Sequence, residues 1–239
     1  MNVYILSSAE QVAKNCAMLI SSQLISKPDS VFGLATGSSP VRCYEYLAQW
    51  YKEGLLDFSR ATSFNLDEYI GLDAQHEQSY RYFMQEKLFK FINLKQSFLP
   101  NGVAENLEEE CKRYDDLLAS YGGADLQLLG IGRNAHIAFN EPSDVFSAGT
   151  RVVDLTQSTI NANKRFFESA DMVPKKAITM GIGTIMSAKK IVLIATGLDK
   201  AEAIKKTIDG DIDPKFPSSI LKLHKDTTLL IDREAATLL

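Results

Sequence analysis

The sequence predicts an α/β fold with a mostly parallel central sheet and helices on both faces. Three observations carry that expectation. Short apolar runs alternate with longer amphipathic ones along the whole chain. The short runs are almost continuously apolar, as strands buried on both faces must be. The 239 residues, 45% hydrophobic and 23% charged, suffice for one large core, so a single domain over 1–239 is expected.

Val3–Leu6 is β-branched and aromatic, hence a strand. Ser7 or Ser8 can cap the helix that follows, whose apolar positions Val12, Cys16, Leu19, Ile20 and Leu24 keep helical spacing. Val31–Ala35 is the second strand. Thr36-Gly37-Ser38-Ser39 is a turn, and Pro40 suits the first position of the next helix. Ala61–Leu66 reads as a strand running into a polar loop from Asp67, and Tyr80–Ile92 as a helix. A seam of Leu107, Cys111, Tyr114, Leu118 and Tyr121 marks a helix through Ala104–Tyr121, with Glu108-Glu109-Glu110 on its solvated face. Asp125–Ile131, Thr150–Leu155, Ala177–Met180, Lys190–Ala195 and Thr227–Ile231 read as further strands. Helices are expected near Ile160–Ser169 and over Lys200–Ile208.

A net charge of −4 without a basic block argues against nucleic acid and for a small-molecule partner. No apolar run approaches the ~20 residues that span a bilayer. The first residues lack a basic stretch and meet Glu10 early, unlike a signal peptide, so a cytoplasmic protein is expected. Cys16, Cys43 and Cys111 are odd in number, without CxxC spacing, and read as buried reduced thiols. The three histidines are scattered, without an HExxH pattern, so no metal is expected. His76 and His224 are left as structural or surface residues.

In a parallel sheet, ligands bind in the loops at the strands' carboxyl ends. After the second strand, the small residues Thr36-Gly37-Ser38 and a helix start favour an anion. After Leu66, the adjacent carboxylates Asp67 and Glu68 suit general base chemistry. Gly130-Ile131-Gly132-Arg133-Asn134-Ala135 matches the glycine fingerprint of dinucleotide sites, but Pro142 cuts short the long helix such a site needs. His136 with Asn134, Asn140 and Glu141 suggests proton transfer there instead. Arg165 and Lys200, each on an expected helix, are natural phosphate partners.

Together these segments resemble the glucosamine-6-phosphate deaminase family. The resemblance is carried by LATGSSP at 34–40, FNLDEYIGL at 64–72, GIGRNAHIAFNEP at 130–142, NKRFF at 163–167, the long match over 173–204, and PSSILKLH at 217–224. It implies a modified Rossmann-like three-layer sandwich, no cofactor, and conversion of glucosamine 6-phosphate to fructose 6-phosphate and ammonia. It further implies that His136 opens the sugar ring, oriented by Glu141, and that Asp67 moves a proton from C2 to C1. Thr36, Gly37, Ser38, Arg165 and Lys200 match phosphate-binding positions. A cationic helix flanked by polar residues around 155–174, carrying Arg165, is expected to form a mobile lid. Asn134 stands where larger members carry aspartate in the histidine relay, and Ala135 where glycine is usual, which implies strain if φ is positive there.

The resemblance also implies a shorter, non-allosteric branch. Arg151 matches one effector-binding cation of the larger members, but Val153 replaces the lysine. The chain ends only eight residues past Ile231, so a monomer or small homo-oligomer is expected. Two alternatives remain at this point: a 6-phosphogluconolactonase of the same fold, disfavoured by LDEY and Asn-Glu-Pro, and a non-catalytic sugar-phosphate sensor, which would not need Asp67, His136 and Glu141 together.

Overall fold

The computed structural model describes residues 1–157, 159–160 and 172–239. Arg165, most of the expected lid, and the helix expected near Ile160–Ser169 beyond its first residue lie outside the described residues.

The chain opens with β1 (Asn2–Leu6) and α1 (Ala9–Ser26). Ser8 caps α1, its hydroxyl accepting from the Gln11 amide, and Val12, Cys16, Ile20 and Leu24 form the buried face. There follow β2 (Val31–Leu34), α2 (Val41–Lys52), β3 (Thr62–Asn65), β4 (Asp67–Tyr69), α3 (Tyr80–Lys87), β5 (Gln96–Phe98) and α4 (Leu107–Ser120). Then come β6 (Leu126–Leu129), β7 (Arg151–Asp154), β8 (Lys176–Thr179), a short helix Ile182–Met186, β9 (Ile191–Ala195), a helix Ala201–Ile208 and β10 (Thr227–Asp232). Pro40 occupies the cap of α2 rather than its first turn.

Seven strands form one sheet in the order β1-β10-β9-β6-β2-β3-β5, every neighbouring pair parallel. This is the expected mostly parallel α/β sheet. Its strands β2, β3, β6 and β9 are buried along their whole length.

Four sequence expectations need correction. Thr150–Leu155 and Ala177–Met180 do not join the parallel sheet. Their strands β7 and β8 build a second, antiparallel sheet in the order β4-β8-β7. Nor is Asp67 the start of a loop: Asp67-Glu68-Tyr69 is a buried strand whose polar side chains disguise it. Leu66 alone separates β3 from β4, and its carbonyl accepts the Met180 amide at 2.8 Å, so the chain steps from one sheet to the other there. The helix expected over Tyr80–Ile92 ends at Lys87 and gives way to a tight turn at Phe89–Phe91. Glu110 is not on a solvated face: its buried carboxylate accepts from the Asn101 amide and the Arg113 guanidinium. The edge strand β5, three residues long, has no period from which to be read.

Tyr44 and Tyr114 fill the core fully buried, and their hydroxyls donate to Ala35 and Asn65 carbonyls, pinning the ends of β2 and β3. Cys16, Cys43 and Cys111 are buried and unbridged. His224 is a core residue whose Nε2 bonds the Ala188 carbonyl at 2.7 Å. No helix among the described residues is long and apolar enough to cross a membrane.

Candidate active site

The strands β9, β6, β2 and β3 are neighbours and run parallel, so the loops after them share one edge of the sheet. Chain order reverses between β6 and β2: from β2 it proceeds to β3 and β5, from β6 to β9 and β10. Such a reversal opens a crevice at the strands' carboxyl ends. Thr36–Ser38, Asp67, Asn134–Glu141 and Lys200 all sit on these loops or just beyond them.

After β2, Gly37 adopts φ +85°, a left-handed conformation that a side chain would strain. The Thr36 hydroxyl bonds the Tyr80 phenol, and Tyr80 in turn reaches the Tyr69 hydroxyl at 3.3 Å. Tyr69, Tyr80 and Phe139 pack ring against ring, with Tyr80 and Phe139 stacked nearly parallel at 6.1 Å between centroids. These aromatics wall one side of Asp67. The Asp67 carboxyl is buried, and burial, helped by the neighbouring Glu68 charge, pushes its pKa up to about 8. A carboxyl in that range is matched to taking and returning a proton near neutral pH.

After β6 the chain makes a tight loop rather than a helix, which disposes of the dinucleotide reading. The Gly132 amide donates to the His136 carbonyl at 2.9 Å and the Ala135 amide to Gly132 at 3.0 Å. A Cβ on Gly132 would fall 2.4 Å from the His136 imidazole, so glycine is required for the ring to lie there. Ala135 and Ala138 both hold positive φ, +67° and +51°. The strain that glycine would relieve at 135 is therefore present.

His136 Nδ1 lies 3.1 Å from Glu141 Oε1, off the direction of a well-aligned hydrogen bond. Glu141 is otherwise fully engaged: Oε1 accepts from the Thr159 hydroxyl and Oε2 from the Asn134 amide, both at 2.5 Å. Burial alone would raise the Glu141 pKa, but His136, Thr159 and Asn134 outweigh it and hold it at about 2. Asn134 thus serves as a donor to Glu141, while its own oxygen accepts from the His136 amide at 3.3 Å. An aspartate at 134 would instead set two carboxylates against each other.

Asn140 locks the loop to its surroundings. Its amide donates to the Ile137 and Met180 carbonyls, and its oxygen accepts from Ser147 and from Arg151 at 2.8 Å. After β9, Gly197 at φ +92° presents its amide to both oxygens of Asp232, and Lys200 ends the turn, 3.7 Å from Asp199. Asp199 also takes Arg133 at 2.9 Å, linking the loops after β6 and β9.

Sequence reasoning missed Thr159, Tyr80 and the anchoring of Glu68. Thr159 had no motif around it, and Tyr80 read as an ordinary helix start. An open groove on α4, lined by Glu109, Lys112, Arg113, Asp116 and Leu117, involves none of these residues. Among the described residues, no cluster of His, Cys, Asp or Glu could hold a metal ion.

A family model described as glucosamine-6-phosphate isomerases/6-phosphogluconolactonase matches residues 7–230. A glucosamine-6-phosphate deaminase of Thermoanaerobacter sp. (strain X514) is 54% identical, over 100% of this chain and 95% of that protein. One of Clostridium perfringens (strain 13 / Type A) is 50% identical over the whole of both. Among solved structures, a monomeric glucosamine-6-phosphate deaminase superposes with a TM-score of 0.98 at 46% identity, covering 100% of each chain. A 6-phosphogluconolactonase from Trypanosoma cruzi shares the fold, with a TM-score of 0.78 at 19% identity over 100% of this chain and 96% of that one. The chain belongs to the glucosamine-6-phosphate deaminase family.

Proposed function

We propose that this chain converts glucosamine 6-phosphate and water to fructose 6-phosphate and ammonia. The observation that carries the reading is the pairing of two separate proton-transfer devices over one sheet edge. One is the buried Asp67; the other is His136 with Glu141. An aldose–ketose shift needs one base that reaches two adjacent carbons, and a different acid–base group for the ring oxygen. His136 opens the pyranose by moving a proton between the anomeric hydroxyl and the ring oxygen. Glu141, ionised throughout the neutral range, orients the imidazole. Asp67 takes the C2 proton and delivers it to C1, passing through an enolamine to the ketose imine. Water adds to the imine carbon, and ammonia leaves. An assay coupled to both ammonia and fructose 6-phosphate tests this. Hydrolysis of 6-phosphogluconolactone without ammonia release from the amino sugar would replace it with the lactonase reading.

Thr36, Gly37 and Ser38 after β2, Lys200 after β9, and Arg165 hold the phosphate in this reading. Each charge-assisted bond contributes on the order of 1.5–3 kcal/mol. Lys200→Ala and Arg165→Ala therefore raise KM for the phosphorylated sugar by roughly tenfold or more. Equal losses against unphosphorylated glucosamine would show that these cations act only on folding or overall charge.

The protein works in the cytoplasm as a single-domain monomer, without cofactor or effector. Arg151, the one cation matching an effector contact, is engaged with Asn140 of the catalytic loop, and Val153 carries no charge. Substrate curves are expected to be hyperbolic and unchanged by N-acetylglucosamine 6-phosphate. A sigmoidal curve made hyperbolic by that compound would overturn the expectation.

A further inference from the structure

The two carboxylates that follow β3 are buried side by side and used in opposite ways. Asp67 accepts no hydrogen bond among the described residues, whereas Glu68 accepts three. Glu68 Oε1 takes the amides of Tyr69 at 2.9 Å and Tyr80 at 2.8 Å, and Oε2 takes the amide of Arg81 at 2.9 Å. Two of these are the first amides of α3, where the helix end favours a negative charge. Successive residues of β4 face opposite sides, so Glu68 turns away from the site that Asp67 faces.

We propose that Glu68 is a positioning residue for the reaction: its carboxylate, fixed on the start of α3, keeps a negative charge next to Asp67 and clamps Tyr80 against Thr36. The assignment rests on the reading of Asp67 as the shuttling base. Glu68 cannot serve as that base itself, because both its oxygens are occupied by amides. Burial raises the Glu68 pKa above its ordinary value, and the three amides and the Arg81 charge limit that rise. Its charge adds to burial in keeping the Asp67 proton affinity high. Among the described residues, the other ionisable groups whose charges couple to Asp67 are phenols, Tyr69 on β4, Tyr80 on α3 and Tyr114 on α4. Burial raises the pKa of all three above the phenol's ordinary value, so they stay neutral through the working range. Glu68 is therefore the adjacent fixed charge that tunes the base. The loop between β4 and α3 closes on the same carboxylate, so one side chain sets both the charge beside Asp67 and the seat of Tyr80.

The test is the pH profile of kcat in Glu68→Gln, with Glu68→Asp beside it. Glutamine keeps an acceptor for the amides but removes the charge. A base must be unprotonated to act, so the acid limb of the profile reads the Asp67 proton. Removing a neighbouring negative charge moves that limb to lower pH, by roughly one unit. Glu68→Asp keeps the charge and leaves the limb in place while lowering kcat. Substrate groups titrate identically with every variant, so differences between profiles belong to the protein. A limb unmoved in folded Glu68→Gln overturns the assignment. Should that variant not fold, the carboxyl carbon of Asp67 is titrated by NMR in the unaltered protein. A Glu68 carboxyl that stays ionised where Asp67 titrates, read in the same spectra, supports the assignment, and one that takes up its proton at higher pH than Asp67 overturns it. Turnover surviving in Asp67→Asn would remove the base reading itself. Turnover lost there, with the limb unmoved in Glu68→Gln, removes only the role of Glu68.

Discussion

Asp67→Asn is expected to lose turnover by roughly a hundred- to ten-thousand-fold, while its melting temperature rises. In the proposed reading, the first effect follows from removing the carboxyl that carries a proton between neighbouring carbons. Solvent deuterium should no longer enter the product at C1, and binding of the sugar phosphate should persist. The second effect follows from linkage. The Asp67 pKa is raised by burial from 3.8 to about 8 in the folded chain. Its contribution to stability is complete below the unfolded value and is lost as pH rises through the folded one. At pH 8 and above the carboxylate is thus a burden that asparagine removes, and each kcal/mol relieved raises Tm by roughly 2–4 °C in a chain of this length. Thermal melts across pH 5–9 check this: the gain should grow with pH. A variant that keeps near-normal kcat, or one whose Tm shift is flat with pH, contradicts the assignment.

His136→Gln should cut kcat by roughly a hundred- to a thousand-fold and change which step limits the rate. With ring opening slowed, proton transfer at C2 ceases to be visible. Glucosamine 6-phosphate deuterated at C2 should then react as fast as the ordinary substrate. Glu141→Gln should behave in the same way to a smaller extent, since the imidazole keeps a polar neighbour but loses the carboxylate that orients it. A full isotope effect surviving in His136→Gln would move the histidine from ring opening to the proton shift. Glu141 also carries an acid-side signature. Its pKa falls from 4.5 to about 2 on folding, so the stability it gives is complete above pH 4.5 and lost as pH falls toward 2.

The parallel sheet was legible because β2 and β9 are apolar from end to end and Gln127 alone interrupts β6, a pattern that double-sided burial explains. The Ser8 cap was legible for the same local reason: its hydroxyl acts within three residues of itself. The antiparallel sheet was not, since β4 consists of Asp67, Glu68 and Tyr69, and nothing in that triplet separates a buried strand from a loop. Its burial is decided by β8 and Phe139, which lie far along the chain. At the site, His136 and Glu141 stood out through their company within seven residues. Thr159 did not, because its partner lies 18 residues away and only the folded chain brings them to 2.5 Å. Glu68 was visible as a residue but not as a clamp, because α3 begins a loop's length beyond it.

Ala135, fully buried, lies beside His136 in a left-handed conformation. Relative to glycine, that geometry costs an alanine roughly 1–2 kcal/mol. Glycine, however, would let the unfolded loop roam more widely, a freedom worth roughly 0.4–1 kcal/mol that folding must then remove. The two effects oppose each other and largely cancel. What does not cancel is their influence on the number of shapes open to residues 132–141. An alanine denies the chain many of the excursions that a glycine permits. The backbone around His136 is therefore kept in register less by deepening its own minimum than by emptying the neighbouring ones.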